Sequence, residues 1–224
     1  MLEAIPTVGL SSTIACSYLI SKLELDQISA VDSDDFPSVS MIYSRKPKFP
    51  ARIYAREDLK IAVFISEIPL PATLHRPLAR TLLSWSRDQG CREIICMEGF
   101  PVSGGGKKPL RLWGVGSTDM ARERLESSGI EQLETGMITG VSGVLLNEGR
   151  WSKFNVMSLA AETRAYMPDA LAAAKLVEAV DQLLPQVTIP IEPLYEQAAL
   201  IEGHLGTLRE QAKPAIEGIV EMYR

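Results

Sequence analysis

Apolar residues fall along this chain in two alternating textures. The runs "LKIAVFIS" and "REIICM" are short and rich in Ile and Val, the pattern of strands covered on both faces. "LRLWGVG" and "KFNVMSLAA" predict further strands, and "RIYAR" and "VSMIYS" predict shorter, edge-like ones. "MLEAI" before Pro6 leaves room for a short first strand. Between these runs the apolar spacing lengthens to three and four, the helical period. Ile14, Tyr18 and Leu19 keep that spacing after the capping candidates Ser11 and Ser12. Leu74, Leu78, Leu82 and Trp85 form a second stripe, closed where Gly90 can supply a C-terminal cap. A third helix is expected from Thr118 to Ser128, stopping at Gly129. A fourth is expected to open with Pro168 in its first turn. It carries Ala173, Leu176, Val177, Val180 and Leu183 on one face until Pro185.

Alternation of strands and helices predicts an α/β fold with a mostly parallel sheet and helices on both faces. The segment from Ser29 to Pro50, with its acidic "DSDDFP" and basic "RKPKFP", reads as an excursion off that sheet. From Ile191 the texture changes, and no strand candidate follows. Leu194, Ala198, Ile201, Leu205, Leu208, Ala212, Ala215, Ile219 and Met222 alternate steps of four and three, a heptad seam. Pro214 interrupts it, because proline lacks the N–H and crowds the preceding turn. The expected organisation is an α/β domain over 1–190 and a C-terminal helical tail over 191–224. Two uses of the seam stay open: packing on the sheet domain, or pairing helices between subunits.

Composition narrows the function classes. The chain has 224 residues, 46% hydrophobic and 23% charged, enough for a sizeable core. The formal charge of −5 argues against nucleic acid, whose binders cluster Lys and Arg to displace counterions. "GGGKKPLR" supplies three cations with no aromatic interleaving and reads as a solvated loop. No apolar run reaches the roughly 18 residues that span a bilayer, and the first residues lack the basic region of a secretory signal. Three cysteines, Cys16, Cys91 and Cys96, have no C-x-x-C spacing, which fits buried thiols in a reducing cytoplasm.

Motifs that carry chemistry are sparse. "PVSGGGKKP" fails as a phosphate loop, with Pro101 where the first glycine belongs and Lys108 in place of Ser or Thr. A ligand-binding role for the Ser103–Lys107 loop stays open. His75 and His204 lie on different predicted helices without a neighbouring acid at triad or metal spacing. "TGVSGV" lacks one of the two glycines of a G-x-S-x-G nucleophile elbow. Glu148 and Glu162 are the carboxylates a general acid/base or metal pair would use. Glu162 could equally join Arg164 in an ion pair at the strand-to-helix turn, and Asp169 suits the positive end of the helix at Pro168. The residues alone predict no catalytic set, no metal site and no cofactor.

Longer blocks carry a resemblance. "IPTVGLSSTIACSYLI" resembles the opening strand-turn-helix of the proteasome assembly chaperone family in its archaeal branch. "DSDDFP", "TGVSGVLLNEG", "AAETRAYMPDALAAAKLVEAV" and "EQAALIE" are similar to that family's later blocks, in order. The resemblance implies a three-layer α/β/α, phosphorylase/hydrolase-like (Rossmann-like) domain. It implies a homotetrameric, ATP-independent chaperone whose C-terminal tails dock on the α subunits of the proteasome core particle. The tail signature of hydrophobic residue, tyrosine and any residue falls on Met222, Tyr223 and Arg224. Such an ending has a physical logic, since an unstructured end is captured without unfolding anything. Tyrosine adds apolar area and one hydroxyl while freezing few torsions. A terminal carboxylate suits a lysine or backbone nest, and several tails on one oligomer gain avidity. The alternative is an ATP-grasp-like ligase or hydrolase acting in the α/β cleft.

Overall fold

The computed structural model describes residues 1–101, 110–164 and 168–196. In chain order the elements are β1 (Leu2–Ala4), α1 (Ser11–Lys22), β2 (Asp26–Ala30), β3 (Met41–Tyr43), β4 (Lys46–Lys48), β5 (Ala51–Arg56) and β6 (Ile61–Ser66). There follow α2 (Ala72–Asp88), β7 (Glu93–Pro101), β8 (Leu112–Gly116), α3 (Asp119–Ser127), α4 (Gly140–Ser152), β9 (Asn155–Thr163) and α5 (Ala170–Leu183). Seven strands form one sheet in the order β2-β5-β6-β1-β7-β9-β8. The central four, β6, β1, β7 and β9, are mutually parallel, while β5, β2 and β8 add antiparallel flanks.

Every residue of β6 is buried, as its unbroken apolar run requires. Its side chains alternate between two cores. Val63 and Ile65 join Ile95, Met97, Met157 and Leu159 beneath α1, α3 and α5. Phe64 joins Ile94, Cys96 and Val156 beneath α2 and α4. The result is the expected α/β/α sandwich, with β1 near its middle.

Several local expectations are corrected. Ser11 and Ser12 do not cap α1. The chain enters through a 3-10 turn at Val8–Leu10, which places both serines, buried, in the helix's first turn. Ser12 instead donates to the Ile5 carbonyl at 2.7 Å. Pro168 stands one residue before the N-cap, and the cap is Asp169, whose carboxylate accepts the Ala172 N–H. The off-sheet excursion is real, since β3 and β4 form a separate hairpin, but its first residues belong to β2 at the sheet edge. Helix α4 has no counterpart in the sequence reading, because Gly140, Gly143 and Gly149 give its segment the composition of a loop. Of the expected tail, residues 191–196 pack on the domain: Leu194 is in the first core and the Tyr195 hydroxyl donates to Glu178 at 3.1 Å.

Candidate functional site

The turn after β1 is where the sequence blocks converge. Gly9 has φ 68° and lies so close to β9 that a Cβ there would meet Thr163 Oγ1 at 2.1 Å, so only glycine fits. The Gly9 carbonyl accepts the N–H of Asp169 at 2.8 Å. Asp169 in turn holds Arg164 through its backbone N–H (2.8 Å) and its guanidinium (3.2 Å). Burial opposes the charge on Asp169, but the Arg164 and Ala172 donors outweigh it and hold the carboxyl below its ordinary range. This lock fixes the turn after β1 against the carboxyl end of β9 and the start of α5.

A cleft of about 720 Å³ opens beside the lock. Its walls come from the end of β1 (Glu3 to Val8), the end of β7 (Glu98 to Pro101), the start of α2 (His75) and the start of α4 (Gly140 to Ser142). That is the position where open α/β sheets receive ligands, outside the carboxyl ends of their strands. Its lining is mostly apolar, with a few converging polar groups.

The polar groups are two glutamates and a serine. Glu3 is 1% exposed, and neighbouring strands β1 and β7 set it beside Cys96 on the α2/α4 side of the sheet. Ser142 Oγ lies 3.2 Å from Glu3 Oε2 and is also hydrogen-bonded to Glu98 Oε1. A hydroxyl carries one proton and cannot donate to both carboxylates, so one carboxyl must keep its own proton to satisfy the second contact. Burial, and then the Glu98 charge, push Glu3 up to about 8. Burial pushes Glu98 up to about 7, with the Ser142 hydrogen bond opposing. Burial and both carboxylates also drive the Cys96 thiol well above its ordinary value, so it is not a thiolate nucleophile. The pair can hold and exchange one proton near neutral pH.

The glutamates singled out from sequence lie elsewhere and are not brought together. Glu148 pairs with Arg80 at 3.0 Å, tying α4 to α2. Glu162 accepts the backbone N–H of Arg111 at 2.9 Å, tying β9 to the chain entering β8. Arg164 pairs with Asp169 rather than Glu162. His75 lines the cleft with a ring nitrogen 3.2 Å from the Leu70 carbonyl. Cys16 is buried, as Cys96 is, while Cys91 is half-buried. Among the described residues no group of three or more His, Cys, Asp or Glu is placed to hold a metal, and no helix is long and apolar enough to cross a membrane. The Ser103–Lys107 loop, His204, the heptad positions from Ala198 onward and Met222, Tyr223 and Arg224 lie outside the described residues.

Sequence reasoning missed Glu3, Glu98 and Ser142. A signal was present, because "MLEAI" and "IICMEGF" each set one acid in an otherwise apolar strand. An acid flanked on both sides by core residues must find a proton or a partner.

Comparison with known proteins gives a consistent result. The model of the PAC2 family matches residues 1–209. A crystal structure of Pyrococcus furiosus PbaA, an archaeal homologue of proteasome-assembly chaperone, is 32% identical. It superposes with a TM-score of 0.87 over 99% of this chain and 92% of that one. Pyrococcus furiosus PbaB, an archaeal proteasome activator, is 25% identical with a TM-score of 0.78, over 93% and 92% of the two chains. An uncharacterised protein of Methanocaldococcus jannaschii is 26% identical over 211 residues, 94% of this chain and 85% of that protein.

Proposed function

The chain belongs to the PAC2 family, and from that membership we propose that it is a cytoplasmic proteasome-assembly chaperone acting on the α subunits of the core particle. The observation that carries the reading is likeness along nearly the whole chain to PbaA, with 32% identity and a shared architecture. In this reading the protein is not an enzyme and works without ATP. A homotetramer presents several tails, and each tail inserts Met222 and Tyr223 into a pocket of the α-ring, with the Arg224 carboxylate on a basic group at its rim. One tail binds weakly, and the set binds well because the second and later contacts are intramolecular.

Support for the tail comes from residue chemistry. A tyrosine beside an apolar residue supplies buried area and a hydroxyl at small entropic cost. Tyr223→Ala is expected to lower α-ring affinity at least tenfold in surface plasmon resonance, with circular dichroism and oligomer mass unchanged. The reading also requires Arg224 to bear the free carboxylate. A peptide tag fused after Arg224 should weaken binding as Tyr223→Ala does, and undiminished binding by the tagged chain would contradict that requirement. Added ATP should leave the affinity as it was.

One observation favours a second reading, a ligase or hydrolase using a small molecule. It is the cleft with Glu3, Glu98 and Ser142 at the carboxyl ends of the parallel strands. Thermal-shift measurements with ATP, other nucleotides and nucleosides separate the readings. A specific ligand raises the melting temperature by mass action, and a clear shift with ATP would favour the enzyme.

A further inference from the structure

The Glu3–Glu98 pair is short of one hydrogen-bond donor. Both carboxyls line the cleft, Glu3 1% exposed and Glu98 half-buried, and both face the single hydroxyl of Ser142. When that hydroxyl donates to Glu98, the Glu3 oxygen 3.2 Å away meets an oxygen with no proton between them. Cys96, also hydrogen-bonded to Glu3, is only a weak donor. In the empty cleft a carboxyl covers the deficit by keeping its own proton, because a buried unpaired charge is costly. A ligand that carries a donor into the cleft can take that proton's place.

The walls decide which kind of donor. Among the described residues the acidic and basic side chains lining the cleft are Glu3, Glu98 and His75, with no lysine or arginine. The His75 ring is engaged with the Leu70 carbonyl at 3.2 Å. The first turn of α4, whose positive end would favour an anion, already meets these two acids through Ser142. An anionic ligand would therefore add a third acidic group beside two buried ones. A metal ion is poorly served, since among the described residues no group of three or more His, Cys, Asp or Glu could hold it. An ammonium group suits the deficit: it brings a positive charge and up to three N–H donors at one point. Charge-assisted hydrogen bonds of that kind are the strong ones, and more so away from water. The rest of the lining is mostly apolar, with Val8, Leu70, Phe100 and Ile138 in it, and about 720 Å³ is room for a small organic molecule.

We propose that the cleft binds a small primary amine with an apolar body, its ammonium hydrogen-bonded to Glu98 and Glu3 and its body lying against Phe100 and Ile138. Binding expels to solvent the proton that the two carboxyls retain, leaving both charged around the ammonium. The groups that face the pair are Ser142 of α4, His75 of α2, and the Cys96 and Cys16 thiols, which burial keeps neutral. The titration that matters is thus that of the pair itself, with Glu3 at about 8 and Glu98 at about 7. Affinity for an amine rises with pH through that range, as the proton to be expelled is lost, and levels off while the amine stays charged.

The test is isothermal titration calorimetry of the full-length chain with phenethylamine, 2-phenylethanol and 3-phenylpropionate, which share an aromatic body and differ in the polar end. Phenethylamine should bind saturably, one per chain, and at least tenfold tighter than the alcohol, because it alone brings charged donors to the acids. The propionate should not bind. The amine's affinity should rise from pH 6 to 8, and its heat should differ between phosphate and HEPES buffers because a proton is released. Glu98→Gln and, separately, Glu3→Gln should each weaken the amine at least tenfold while keeping the wild-type circular dichroism spectrum. Absence of phenethylamine binding at millimolar concentration, equal binding of amine and alcohol, or an affinity indifferent to both variants would overturn the proposal. Tighter binding of 3-phenylpropionate or ATP would overturn it too, and ATP would favour the ligase or hydrolase instead. The tail reading fails separately: truncation after Glu221 should leave amine binding unchanged, whatever it does to binding of α-rings.

Discussion

Ser142 shows how one hydroxyl governs a site. It serves two carboxylates with a single proton, so the Glu3–Glu98 pair titrates as a unit rather than as two independent acids. The folded chain keeps protons that the unfolded chain releases near the ordinary value of 4.5, since Glu3 is raised to about 8 and Glu98 to about 7. Their stabilising contribution is complete below about pH 4.5 and is lost as pH rises through about 7 to 8. Glu3→Gln removes the larger part of that dependence. Its melting temperature, followed by circular dichroism, should exceed that of the wild type at pH 8.5 and show a flatter slope from pH 5 upward. Parallel curves for the two proteins would mean that Glu3 ionises freely in the fold. Ser142→Ala leaves the pair without its hydroxyl and is expected to cost about 1–3 kcal/mol at neutral pH by urea denaturation.

At the scale of elements, legibility followed periodicity. The strands β6, β7 and β9 and the helices α2 and α5 were readable because their apolar residues recur at the period of the structure they form. Thr118 and Gly129 bounded α3 correctly because cap chemistry is local. Helix α4 was hidden by its glycines, and the reason for one of them is tertiary: a Cβ at Gly149 would lie 2.6 Å from Val156 Cγ2 of β9. Strand β2 was hidden because an edge strand with mostly exposed residues carries no apolar alternation. The Ser11 and Ser12 caps were misread because nothing local announces the 3-10 turn before them. Asp169 tests the element that locks the cleft. Asp169→Ala removes the N-cap of α5 and the carboxylate that pairs with Arg164, and a loss of about 1–2 kcal/mol is expected in chemical denaturation. A change below a few tenths would show that Gly9 and β9 hold the turn unaided.

The molecule as a whole places its chemistry in three regions. A proton-sharing cleft sits at the carboxyl ends of the central strands, a separate hairpin stands off one sheet edge, and the last residues lie outside the described ones. The first was illegible in sequence because Glu3, Glu98 and Ser142 are joined by topology across 139 positions. The hairpin was legible as an excursion off the main sheet. The tail motif is legible only as a short pattern, given weight by the family blocks that precede it. The most direct measurement is binding of isolated proteasome α-rings by the full-length chain and by a chain truncated after Glu221, compared at equal oligomer mass. The account predicts tight binding by the full-length protein and at least a tenfold loss on truncation. Equal binding by both chains would contradict it.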